Sequence, residues 1–255
     1  MAFPITYPQP GLPPASSSPP PRPIAIRPDS ELIATAEPET IITVRNRAQP
    51  WHPLDYIIAR QDGSTLFTVQ GRPWSLAQKR VFRDASGLPL FELRSKWFAS
   101  SVLELKLPGA KGTSEPLLSA KCRVAVQAPR AVIRFCNAAM PRSGTACVQR
   151  SGPKGVMKAL RAHPRAHSIS DEGETVMEIF ALDVDNLAQV AVIRDQQVAI
   201  IDRITDPSIL AQGQKPPFRF RPMWRVRVAR GVDLALVAVA VVIVGQRVSV
   251  GLPFN

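Results

Sequence analysis

The strongest constraint in this sequence lies near its end. Gly231-Val232-Asp233 is followed by eleven residues, Leu234 to Val244, without one polar side chain, and then by Gly245-Gln246-Arg247. As a helix, eleven residues rise about 17 Å at ~1.5 Å each. A bilayer core is roughly 30 Å thick and takes about 20 residues to cross. The run is too short to span a membrane and too apolar to face water. A helix hydrophobic on every side must be wrapped by other protein.

Periodicity cannot choose between helix and strand here, because every position is apolar. Val237, Val239, Val241, Val242, Ile243 and Val244 favour a strand by propensity. Length favours a helix, since strands usually stop near five or six residues. The flanks agree with the helix. Asp233 can cap the first-turn amides at the positive end of the dipole. Gly245 suits a left-handed stop, with Arg247 near the negative end. The sequence therefore predicts a buried helix with Leu234, Leu236, Val237, Val239 and Val241 in the core. Ala235, Ala238 and Ala240 would let surrounding strands come close.

The chain before that helix reads as the wrapping. Short apolar runs separated by turn residues recur from Ile41 onward. They are Ile41–Val44, Leu54–Ala59, Leu66–Val69, Lys79–Arg83, Leu88–Leu93, Val102–Leu107, Leu117–Val126, Ala131–Phe135, a run at Cys147-Val148, Val176–Leu182, Gln189–Ile193, Val198–Ile204 and Trp224–Ala229. Gln61-Asp62-Gly63-Ser64 and Asp84-Ala85-Ser86-Gly87 have hairpin chemistry. Trp224–Ala229 alternates, with Val226 and Val228 predicted inward and Arg225 and Arg227 outward. About twelve short strands and one central helix predict a mainly β fold, a closed antiparallel barrel around a buried hydrophobic C-terminal helix.

Two segments stand outside this pattern. Residues 1–38 are rich in proline with Ser16-Ser17-Ser18 between, a composition expected to stay disordered with polyproline character. The barrel domain is expected over 39–255, with a basic insertion near 141–167. Pro20-Pro21-Arg22-Pro23 fits a P-x-x-P ligand, a common chance match.

Certain residues resemble those of a known family. Arg80-Val81-Phe82-Arg83-Asp84-Ala85-Ser86-Gly87-Leu88-Pro89-Leu90-Phe91 is similar to the early signature of LURP-one-related proteins. So are Asp62-Gly63-Ser64-Thr65-Leu66-Phe67-Thr68-Val69-Gln70-Gly71 and the ending Val228-Ala229-Arg230-Gly231-Val232-Asp233-Leu234-Ala235-Leu236. The resemblance covers roughly 40–248. It implies the tubby C-terminal-like fold, a barrel of about twelve strands threaded by a hydrophobic helix. Tubby proteins use that fold to bind membrane phosphoinositides through basic side chains, and phospholipid scramblases are similar in fold. The tubby headgroup residues do not align onto positions of this chain, so none is carried over.

Charge gives the functional clue. The formal net charge is +12 at pH 7, which favours anionic partners. Between Glu115 and Asp171 no acidic residue occurs, yet ten bases do: Lys121, Arg123, Arg130, Arg134, Arg142, Arg150, Lys154, Lys158, Arg161 and Arg165. Of these, Lys121, Arg123, Arg150, Lys154, Lys158, Arg161 and Arg165 are the expected anion-binding residues. Arg and Lys at this density can hold phosphate through charge-assisted hydrogen bonds. The bland reading is a solvated loop whose charges raise solubility. Val156, Met157 and Leu160 give a short helix an apolar edge there, suited to packing on the barrel or to a membrane interface.

Other functions find little support. The basic stretch contains one aromatic, Phe135, so stacking platforms for nucleic acid are missing. His163 and His167 are four apart but flank Pro164, with no carboxylate of an H-E-x-x-H motif. No phosphate loop or G-x-S-x-G elbow occurs. Cys122, Cys136 and Cys147 are odd in number and lack C-x-x-C spacing, which argues against a disulfide framework and for a reducing compartment. No basic start followed by an apolar run marks a secretory signal. The expectation is a non-enzymatic protein with no cofactor and no metal, in the cytoplasm or peripheral to a membrane. Its expected partner is anionic phospholipid. The alternatives are a protein partner docking on the tail or barrel, and a scramblase-like activity disfavoured by the short apolar run.

Overall fold

The computed structural model describes residues 23–27, 32–34, 39–46, 55–71, 78–96, 99–110, 114–122, 131–139, 174–182, 188–204 and 223–249. Twelve strands form a closed antiparallel barrel: β1 (Glu39–Asn46), β2 (Tyr56–Arg60), β3 (Thr65–Gly71), β4 (Arg80–Arg83), β5 (Pro89–Lys96), β6 (Ala99–Lys106), β7 (Leu118–Cys122), β8 (Ala131–Cys136), β9 (Glu174–Ala181), β10 (Ala188–Ile193), β11 (Gln196–Ile204) and β12 (Met223–Ala229). Each strand pairs with its neighbour in sequence, and β1 closes the ring on β12, Glu39 facing Ala229 and Arg45 facing Met223. One helix among the described residues, α1 (Leu234–Ser249), follows β12 after a short turn.

The turns show why the strands stop where they do. Gly63 and Gly87 sit at φ of 85° and 88°, a region that a Cβ disfavours. Asp62 Oδ1 accepts the Ser64 N–H at 2.8 Å, and Asp84 Oδ1 accepts the Leu88 N–H at 2.8 Å. Short polar side chains thus satisfy turn amides that no strand can reach.

Strand alternation fills the interior. Ile42, Val44, Ile58, Leu93, Leu105, Leu118, Ile133, Phe135, Met177, Ile179, Val226 and Val228 are wholly buried. Every residue from Leu234 to Val244 is at most 7% exposed, so α1 is enclosed on all sides. A barrel of this width is too large for strand side chains alone to fill. The helix occupies that space. Its backbone comes near β7 and β8, where Ala120 and Ala131 face inward, both small and buried.

Asp233 caps α1 as its position predicted. Its Oδ1 accepts the Ala235 N–H at 2.9 Å. The other end differs from expectation. Gly245 does not stop the helix, which runs on to Ser249, so its sixteen residues reach about 24 Å. Glycine is needed there for space. A Cβ on Gly245 would lie 2.9 Å from Cη2 of the buried Trp224 ring.

The domain boundary at 38 also needs correction. Pro23–Arg27 and Leu32–Ala34 pack against the barrel end where α1 begins, with Ala25, Ile26 and Ala34 at 1%, 4% and 2% exposure. Ile24 N donates to Gly231 O and Asp233 N to Ile24 O, both at 2.8 Å. Leu234 N donates to Leu32 O at 2.9 Å, and Ala34 N to Val232 O at 2.8 Å. Asp233 Oδ2 accepts the Ile26 N–H at 3.2 Å, so one carboxylate ties both α1 and the N-terminal segment. Asn137, just beyond β8, accepts from Ala25 N and donates to Pro23 O, each at 3.0 Å. Local composition hid this order: two short apolar patches amid prolines are stabilised only by long-range partners. The run at Cys147-Val148, residues 123–126 of the expected seventh strand and most of the Pro-rich tail lie outside the described residues.

Deleting residues 1–34 removes these bonds and the cover over Asp233. The expected cost is on the order of 3 kcal/mol. Deleting residues 1–22 leaves every one of them in place. Thermal melts should show the longer deletion lowered by at least roughly 6 °C and the shorter one unchanged.

Candidate anion-binding surfaces

The barrel has two distinct ends. Call the end at Leu234 the entry end and the end toward Ser249 the exit end. Antiparallel register places Ala229, Glu39, Pro89, Lys106, Leu118, Cys136 and Glu174 toward the entry end. It places Met223, Asn46, Tyr56, Arg80, Ala99, Cys122, Ala131 and Ala181 toward the exit end.

Of the seven expected anion-binding residues, Lys121 lies within the described residues. Lys121 is on the outer face of β7, one residue from its exit end, flanked by Val102 and Val132. It enters no ion pair among the described residues. Arg123, Arg150, Lys154, Lys158, Arg161 and Arg165 lie outside the described residues. In the chain, Arg123 falls between β7 and β8, and Arg150 to Arg165 fall between β8 and β9, which end at Cys136 and begin at Glu174, both at the entry end.

Elsewhere, six described bases lie in ion pairs with acids of the barrel. On β5 and β6, Lys79 Nζ lies 2.6 Å from Glu92 Oε1, and Arg94 donates to Glu92 Oε2. Glu104 accepts from Lys96 at 2.8 Å and lies 3.5 Å from Lys106. Arg134 pairs with Glu174 at 3.1 Å, and Arg227 with Asp202 at 3.5 Å. The more exposed of these pairs, Arg134 with Glu174 and Arg227 with Asp202, add little stability, typically about 0–1 kcal/mol. The consequence of all the pairs is that these arginines and lysines are engaged with the barrel itself. Burial pushes the Glu92 carboxyl up, but hydrogen bonds and charge from Lys79 and Arg94 outweigh it and hold it below its usual 4.5.

The exit end also turns cations inward. Arg80 shares the inner face of β4 with Phe82 and is 0% exposed. Burial lowers its pKa, while the nearby Tyr56 and Cys122 act in the opposite sense. Arg203 faces Trp224 in register on β11, and burial lowers its pKa too. Sequence reasoning quoted Arg80 only as part of a hairpin. The missed signal was alternation, since Arg80 falls on the same face as Phe82.

The cysteine expectation is corrected as well. Cys136 is disulfide-bonded. Cys122 is a buried thiol outside any disulfide, and Cys147 is outside the described residues. An odd count with no C-x-x-C spacing did not reveal this bond.

The comparisons decide the family. The LURP-one-related family profile matches residues 40–245, most of the chain. The chain belongs to the LURP-one-related family. The curated protein LURP-one-related 9 of Arabidopsis thaliana is 37% identical over 57 residues, 22% of this chain and 29% of that relative's length. An X-ray structure of another Arabidopsis thaliana protein covers 87% of this chain and 96% of its own at TM-score 0.50 and 18% identity, a likeness of fold. The family match starts at β1, so the N-terminal segment over the entry end lies outside the matched residues. No helix among the described residues is long and apolar enough to cross a membrane.

Glu92 yields a signed pH prediction. Its folded pKa is depressed, so its contribution is present above the unfolded value near 4.5 and fades as pH falls through the lower folded value. Glu92→Gln should lose on the order of 1 kcal/mol at neutral pH. Its stability should also fall less steeply than wild type in acid, as read from urea unfolding midpoints against pH.

Proposed function

We propose that this LURP-one-related protein is a non-enzymatic module that binds anionic phospholipid, with phosphoinositide as the headgroup class, at a membrane surface through basic side chains. The observation that carries the reading is the acid-free stretch between Glu115 and Asp171 with its ten bases. The barrel supports it in a specific way. Described bases such as Lys79, Lys96 and Arg134 are paired within the fold, whereas the β8–β9 connection holds Arg150, Lys154, Lys158, Arg161 and Arg165 with no acid until Asp171. Bases near an anionic bilayer are each worth about 1 kcal/mol. Four or five acting together supply about 4–5 kcal/mol, an association in the range of roughly 0.2–1 mM lipid.

Binding is peripheral in this reading. The apolar rod is enclosed, and at about 24 Å it is shorter than a bilayer core. That also disfavours a scramblase-like role for α1.

A second reading is a protein-interaction scaffold. It is favoured by the anchoring of Pro23, which fixes the Pro-rich segment to the entry end beside Asn137.

Co-sedimentation with vesicles at physiological salt separates these. Anionic vesicles should retain the protein and neutral ones should not. The triple variant Lys154→Ala, Lys158→Ala, Arg161→Ala should weaken retention about 100-fold. Deleting residues 1–22 should leave lipid retention intact and abolish capture of any partner that reads the prolines. Equal recovery on both vesicle types would end the lipid reading.

A further inference from the structure

The exit end of the barrel holds a full positive charge for which the described chain supplies no counter-charge. Arg80 is 0% exposed, and none of its Nε, Nη1 and Nη2 atoms has a hydrogen-bond partner among the described residues. An arginine stays protonated even when buried, so it cannot escape the cost by losing its proton. Buried charges are normally paired, and buried guanidinium nitrogens normally donate.

Among the described residues, the buried carboxylates on the interior side, Asp55 and Asp233, are already committed. Asp55, buried at the same end, accepts the Gly71 N–H at 2.8 Å and makes no ion pair with Arg80. Asp233 lies at the entry end, a helix length away, and holds Ile26 and Ala235. The C-terminal end of α1 points to the exit end and carries a partial negative charge. That is about half a charge, spread over carbonyls, and it leaves the guanidinium fork unmatched.

The surroundings suit a small anion. Tyr56, whose ring lies 6.3 Å from that of Trp224, and Cys122 flank Arg80 from β2 and β7. Arg203 adds a second cation from the far wall of the same end. A planar fork of donors in a site of low polarity matches the oxygens of a phosphate or carboxylate.

We infer that the exit end of the barrel is an oxyanion-binding site in which the Arg80 guanidinium takes a small soluble anion of the phosphate or carboxylate class. A headgroup fixed in a bilayer does not reach a side chain with no exposed surface, so this site is separate from the membrane-binding connection. It stands or falls independently of the vesicle result.

The test uses the full chain and thermal melts in sodium phosphate, sodium acetate and sodium chloride at matched ionic strength. A saturable rise on the order of 5 °C is expected with phosphate, acetate or both, and not with chloride. Which oxyanion saturates assigns the class. Arg80→Met should lose the rise. If that variant does not fold, Arg80→Lys, which keeps the charge without the fork, should need at least tenfold more anion. In wild type the saturating anion should also slow alkylation of Cys122, followed by peptide mapping. The proposal is overturned if no oxyanion gives a saturable rise beyond chloride. It is equally overturned if the rise persists unchanged in Arg80→Met or Arg80→Lys.

Discussion

Enclosure of the apolar helix is the constraint on which the rest of this structure depends. Each Leu, Val or Ile of α1 removed from water contributes about 1.5–3 kcal/mol. Eleven consecutive residues are removed together. The dependence is mutual, because a twelve-stranded ring without the rod has an interior its strand side chains cannot fill. Rod and ring therefore form one folding unit. The geometry of their junction follows from Asp233, which must cap the helix in a place with no water. It does so because Ile26 supplies a second donor to its carboxylate.

That junction explains how a segment outside the family match becomes part of the fold. Pro23–Arg27 and Leu32–Ala34 carry little intrinsic order, yet their amides and carbonyls meet those of Gly231, Val232, Asp233 and Leu234. The segment gains order from the helix entrance, and the entrance gains cover from the segment. The same end carries the β8–β9 connection with most of the excess charge. The N-terminal cover lies at the entry end, and the inward Arg80 at the exit end.

Much of the architecture was legible because its signals are local. Asp-Gly and Ser-Gly turns set the hairpins, alternation placed Val226 and Val228 inside, and eleven apolar residues demanded a cover. What escaped the sequence depends on partners far away in the chain. Gly245 reads as a helix stop until Trp224, on the preceding strand, is seen to require its bare Cα. Ile26 reads as a tail residue until Asp233 is found 207 positions on. Of the seven expected anion-binding residues, Lys121 has a described place, on the outer face of β7 between Val102 and Val132. Arg80 was visible as an inward position by simple alternation, and only its burial showed that this matters.

Hydrogen exchange along α1 tests the enclosure most directly. Amides from Val237 to Val244 should exchange only through global unfolding, with protection equal to the stability measured by denaturant. They should be among the slowest in the chain, alongside β8 and β12. Exchange of these amides at rates typical of exposed loops, or by local opening well below the global free energy, would contradict an enclosed rod and the account built on it.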